Sequence, residues 1–159
     1  MPNNNYHFEW QNLDGLQRFF QQGDTHFMQI VESEMRDFVH LVEEGAKALA
    51  PEDEGTLVDS INSEVHRRGN SVEGQVGTNL EYAMIRHEAP YRGGSHPKYD
   101  NGSKFPNYYI GGRGAGTRAK GSWKGFPAGR KYLENALRAC EPDYDHVNTR
   151  IWDRFSAGW

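Results

Sequence analysis

The residues best placed to do chemistry are Arg86-His87-Glu88 with His96 further on, two imidazoles and a carboxylate close together in sequence. Such a trio can move a proton or ligate a cation. A metal site, however, is normally built from two ligands one turn or two residues apart plus a third element, and the bases around this run oppose a cation. The plainer reading is a set of solvated or interface side chains. No catalytic, metal or cofactor-binding residue is assigned from the sequence.

Other chemistry-bearing runs fall short in the same way. Gly111-Gly112-Arg113-Gly114-Ala115-Gly116-Thr117-Arg118 has the glycines of a phosphate cradle. It lacks the Lys-Ser/Thr ending, and no strong apolar strand leads into it, so it reads as a glycine-rich loop. Glu52-Asp53-Glu54 has the charge of a cation loop without the alternating spacing of a calcium site, which leaves a solvated turn. Cys140 is the single cysteine, which excludes an internal disulfide and a multi-cysteine zinc site. It reads as a small buried residue on a helix.

A stronger signal is charge. Between Ala89 and Lys131 there are nine bases against Asp100, while between Asp24 and Ala50 six acids face two bases. The basic part is interleaved with rings and glycines. Its Arg92, Lys98, Lys104, Tyr108, Tyr109, Arg113, Arg118, Lys120, Trp123 and Lys124 form a candidate arm over 89–125 that contacts a partner or a lumen. Lys and Arg neutralise phosphates and rings stack on bases, so passing contact with DNA is one reading. The net charge of -4 and a pI near 6.0 are not those of a dedicated nucleic-acid binder. An arm gripping an acidic protein surface fits better, and one acidic and one basic surface suit head-to-tail packing of copies.

These groups need a scaffold. Leu13, Leu16, Phe19 and Phe20 suggest a short helix ended by Gly23. Asp24 or Thr25 can cap a long helix whose stripe is Phe27, Ile30, Val31, Met35, Phe38, Leu41, Val42 and Leu49, stopped by Pro51. Strands are expected over Leu57 to Val65 and Val72 to Val76, joined at Gly69-Asn70 as a hairpin. Tyr82, Met84 and Ile85 fit a strand or a helical turn equally. Tyr108-Tyr109-Ile110 suggests a strand within the arm. Pro127 suits the first turn of a last helix, Ala128 to Cys140, with Pro142 beyond its end. The tail from Tyr144 carries Val147, Ile151, Trp152, Phe155 and Trp159 at helical spacing and is expected to dock on the domain or on a neighbouring subunit.

The 159 residues suit one domain with appendages. Mean hydropathy is -0.88 while aromatics reach 13%, so the apolar material sits in large rings, which serve interfaces as well as cores. No apolar run approaches the roughly 18 residues of a membrane span. Met1-Pro2-Asn3-Asn4-Asn5 lacks the pattern of a secretory signal, so a cytoplasmic product is expected. The division expected is a polar leader over 1–12, a single α+β domain over 13–140 containing the arm, and a docking tail over 141–159. The α+β domain is a long amphipathic helix on a small antiparallel sheet, with a second helix.

Two ordered blocks carry a resemblance. Ala50-Pro51-Glu52-Asp53-Glu54-Gly55-Thr56-Leu57-Val58-Asp59-Ser60-Ile61 is similar to the signature Ala-Pro-x-Asp-Thr-Gly-x-Leu-x-x-Ser-Ile of the tail-completion, or head-tail joining, proteins of long-tailed bacteriophages, also known as minor tail components. Val76-Gly77-Thr78, Tyr82-Ala83 and Glu88 match the family's second block, Gly125-Phe126-Pro127-Ala128 matches loosely its approach to the last helix, and Leu13-Asp14-Gly15-Leu16 looks like its opening. The resemblance spans about Leu13 to Cys140. Glu54 stands where threonine is usual, Ala89-Pro90 replaces a Gly-Thr, and the basic insertion is extra. The signature residues carried over are Pro51, Asp53, Gly55, Leu57, Ser60, Ile61, Gly77, Thr78, Tyr82 and Glu88.

The resemblance implies an α+β virion subunit, not an enzyme and without a cofactor, assembled in a bacterial host's cytoplasm. It implies a hexameric ring at the head-proximal end of the tail, in the neck. The implied partners are other copies, the tail tube protein and the head-completion or connector proteins, with no membrane. Ile151, Trp152, Phe155 and Trp159 are then expected to dock subunits. The alternatives are a ring that terminates the tail tube and a nucleic-acid-binding accessory protein that uses the arm.

Overall fold

The computed structural model describes residues 25–52, 55–88 and 115–157, together with the backbone of 6–9. The expected helix over Leu13 to Phe20, the cap at Asp24, the Asp53-Glu54 part of the acidic turn, and the strand at Tyr108-Tyr109-Ile110 lie outside these residues. The architecture is α+β. A long helix α1 (Thr25–Leu49) lies between a small antiparallel sheet and a second long helix, α5 (Tyr132–Ala157).

Helix α1 has 25 residues, about 37 Å at 1.5 Å per residue. It buries more than one stripe because it is covered on two sides. Met35 and Val39 meet Gly74 of the sheet. Phe27 meets Phe155 edge-on with centroids 5.1 Å apart, and Phe38 meets Tyr144 at 5.3 Å, so α5 runs antiparallel to α1. Leu41, expected inside, is only half-buried. The helix stops where Pro51 cannot continue it, and its last carbonyls find partners. Gly129 N–H donates to Leu49 O at 2.7 Å, and Lys120 Nζ donates to the carbonyls of Lys47 and Ala50 at 2.7 and 2.9 Å. An ammonium there also faces the negative end of the helix dipole.

The main sheet has the order β1-β3-β2, with β1 (Tyr6–Glu9), β2 (Asn62–Arg68) and β3 (Ser71–Gly77). The hairpin at Gly69-Asn70 forms as expected, with Arg68 opposite Ser71. Two expectations are corrected. Leu57 does not enter a strand: Thr56–Ser60 is a helical turn, α2, and β2 begins only at Asn62. Gly55, at φ +90°, lets the chain re-enter a helix, Asp59 N–H bonds Gly55 O, and Ser60 Oγ–H bonds Leu57 O, so local bonds outcompete the ladder. The polar leader is not wholly irregular either. Tyr6–Glu9 pairs with β3 from Tyr6↔Val76 to Glu9↔Glu73, making β3 the central strand.

Ala83–Glu88 is a short helix, α3, which resolves the ambiguity at Met84 and Ile85. The last helix differs most from expectation. Pro127 lies in a tiny hairpin of β4 (Ser122–Trp123) and β5 (Phe126–Pro127), which follows helix α4 (Ala115–Ala119). Left-handed Gly129 and Lys131, at φ 132° and 59°, delay α5 to Tyr132. The helix then runs through Pro142 to Ala157. A helix-interior proline costs about 3 kcal/mol. Burial of Val147, Ile151 and Phe155 against α1 opposes that cost, and Pro142 itself is on the exposed side.

Candidate interaction surfaces

Most of the signature builds joints. Leu57 and Ile61 enter the core, and Ala50 is fully buried. Ser60 spends its one hydroxyl hydrogen on Leu57 O at 2.7 Å, so the 2.6 Å contact between Ser60 Oγ and Thr78 Oγ1 is donated by Thr78. Thr78 Oγ1 in turn accepts Leu80 N–H at 3.2 Å. The resulting relay, from Leu80 N–H through both hydroxyls to Leu57 O, fastens α2 to the end of β3 beside Gly77. Pro51 stops α1 and Gly55 starts α2. Asp53 lies outside the described residues. Tyr82 and Glu88 are the signature residues that remain open to solvent.

His87 is not the solvated or interface side chain expected: it is buried, and it meets Glu88 as a fastening. His87 is buried edge-on to Tyr132 at 5.1 Å, its Nδ1 lies 2.8 Å from Glu88 Oε1, and its carbonyl accepts Lys131 N–H at 2.9 Å. Burial holds the imidazole below histidine's ordinary pKa, against the pull of Glu88. Lys131 Nζ, 2.8 Å from Glu88, and His87 together hold that carboxyl below its usual range. His96 lies outside the described residues, among which no three His, Cys, Asp or Glu side chains gather to hold a metal.

One other cluster has the composition of a nucleophilic site. Ser63 Oγ donates to Glu43 Oε2 at 2.5 Å, and His40 Nδ1 lies 3.6 Å from the same oxygen. The carboxylate stands between hydroxyl and imidazole, so His40 cannot take the serine's proton. Glu43 instead bonds β2 to α1, with Lys47 Nζ at 2.5 Å on its other oxygen. Burial raises its pKa, but the bonds from Lys47 and Ser63 outweigh that and keep it lowered. The Cys140 thiol is fully buried, and burial pushes its pKa up to about 11.

Of the expected arm, Arg92, Lys98, Lys104, Tyr108, Tyr109, Arg113 and the side chain of Arg118 lie outside the described residues. The other three are corrected, because the body holds them. Lys120 caps α1 and lies 3.2 Å from Glu52. The Trp123 ring lies over Gly45, where a Cβ would stand 2.5 Å from the ring. Lys124 Nζ bonds Asp143 at 2.5 Å. The arm cannot therefore extend as far as residue 125.

The docking residues divide similarly. Ile151 and Phe155 are buried against the chain's own α1, which corrects their assignment to a neighbouring subunit. Trp152 stays 52% exposed, and Trp159 is outside the described residues. Sequence reading missed what locks this half of α5. Glu34, on the apolar stripe of α1, bonds Arg150 Nε at 2.7 Å and Arg154 at 2.8 Å. Burial would raise the Glu34 pKa, but the two guanidinium groups outweigh it and the value is lowered. The signal was an acid among Ile30, Val31, Met35 and Phe38, facing an i, i+4 arginine pair. The exposed hairpin tip His66-Arg67-Arg68 was also passed over.

Among the described residues, then, the polar clusters at His87-Glu88, at Glu43 and at Glu34 fasten the body's own elements. Residues 14–85, which include the Pro51 to Ile61 signature, match the family model HK97-gp10-like, "Bacteriophage HK97-gp10, putative tail-component". No curated protein and no solved structure matches the chain. Among the described residues no helix is long and apolar enough to cross a membrane.

Proposed function

We propose that this chain is a non-enzymatic virion subunit that forms a ring, of six copies, at the head-proximal end of a phage tail, completing the tail and joining it to the head connector. The observation that carries the reading is the tail-component match over residues 14–85, which includes the Pro51 to Ile61 signature and the Ser60–Thr78 joint. The rigid body supplies two ends for contact with neighbouring copies, the tube and the connector. Residues 89–114 supply the basic, ring-bearing segment that reaches a partner or the lumen, where DNA passes.

The test is electron microscopy of lysates from a phage whose copy of the gene carries an early stop codon. Filled heads and finished tails lying unjoined are expected. Overlong tails would assign the chain to tube termination, and normal joined virions would overturn the structural reading.

A further inference from the structure

The described surface carries two unlike patches at opposite ends of the body. At one end is the hairpin tip. Ser63 lies beside Glu43, whereas Gly74, opposite Val65, lies beside Val39 and Met35, so the hairpin runs toward the start of α1. The tip presents His66, Arg67 and Arg68, all exposed, with Arg68 at 73% and only a 3.7 Å approach to Glu73. Trp152 is level with the tip along α1 but lies on α5, on the other face of α1 from the hairpin, and is not part of the tip's surface.

The other end, past the C-terminus of α1, is set by the Ser60–Thr78 joint. It exposes Asp59 and Glu81, which have no ion-pair partner among the described residues, beside Tyr82 and Ile85, which are 42% and 68% exposed. The nearby Lys131 is held by Glu88 and Glu134. One end thus offers the Arg67-Arg68 pair, the other the carboxylates Asp59 and Glu81 with a tyrosine and an isoleucine, and the length of α1 lies between them.

We infer that these ends meet between copies: the Arg67-Arg68 tip of one copy docks on the Asp59, Glu81, Tyr82 and Ile85 end of the next. The inference rests on the ring reading and names its contact. Two different patches on one subunit make a heterologous interface, the type that closes into rings. Opposite charge selects the partner and its orientation, while the apolar side chains supply the area to bury. The second copy is favoured over a nucleic acid because the chain itself carries the complementary acidic end.

The test compares the full-length wild type with Arg67→Glu/Arg68→Glu and with Asp59→Lys/Glu81→Lys by native mass spectrometry and sedimentation velocity, at one concentration and low salt. Each variant alone brings like charges together, and at least a tenfold weakening of association is expected. An equimolar mixture places Glu against Lys and Arg against Asp and Glu at alternate contacts. It should regain the wild-type oligomer with alternating copies, which also shows that both variants fold. A wild type that assembles while both variants assemble equally well overturns this contact and leaves the ring reading standing, whether or not the tip variant loses duplex-DNA binding. A wild type that stays monomeric overturns both.

Discussion

Ser60 Oγ stands 2.6 Å from Thr78 Oγ1, and this one bond joins the two signature blocks. Thr78→Val leaves Ser60 and Leu80 N–H each short of a partner, and Ser60→Ala breaks the same relay at its next link. Each should destabilise the fold by about 1–2 kcal/mol in denaturant unfolding, and the double variant by less than their sum. Additive losses would mean that the hydroxyls act separately.

Lys120 and Lys124 are alike in sequence and unlike in place. Lys120→Ala removes a charged donor from two helix-end carbonyls and should cost about 1.5–3 kcal/mol, whereas Lys124→Ala breaks an exposed pair with Asp143 and should cost less than about 1 kcal/mol. Urea midpoints of the two variants decide it. Equal losses would contradict the capping role.

Acid stability should depend on Glu34. Its folded pKa lies below the ordinary 4.5, so its contribution is complete above that value and is lost as pH falls below it through the folded pKa. Glu34→Gln should lower stability at neutral pH and flatten the acid limb of the stability curve. An unchanged limb would show that the two arginines do not hold this carboxylate.

His87 should act at milder pH. Its folded pKa is below 6.5 because burial disfavours the charged ring, so the unfolded chain takes up the proton first as pH falls. Stability is then undiminished above 6.5 and declines as pH drops below it. His87→Gln should reduce the slope of urea midpoint against pH between about 7.5 and 5.5, the window around the ordinary histidine value. The same slope in both proteins would place the titrating group elsewhere.

How legible these features were depended on how many residues carried each signal. The α1 stripe from Phe27 to Leu49 repeats over many turns, and the Gly69-Asn70 hairpin has its turn residues, so both were readable. Helix α3 is six residues long, too short for a period to separate from a strand. At Leu57, apolar alternation pointed to a strand, but Gly55 and the Ser60 hydroxyl bond decided for a helical turn. Pro142 looked like a stop because proline preference is local, while the stripe through Tyr144, Val147, Ile151 and Phe155 finds its partner on α1, about a hundred residues earlier. The same distance hid Lys120 as a cap and Arg150 and Arg154 as partners of Glu34, leaving their charge to suggest an arm and a free tail.

Immuno-electron microscopy of finished virions, with antibody raised against this chain, tests the central claim most directly. Label confined to the junction of head and tail, and lost with the gene product, is the expected result. Label along the tube, at the distal tip, or absent from purified virions would contradict it.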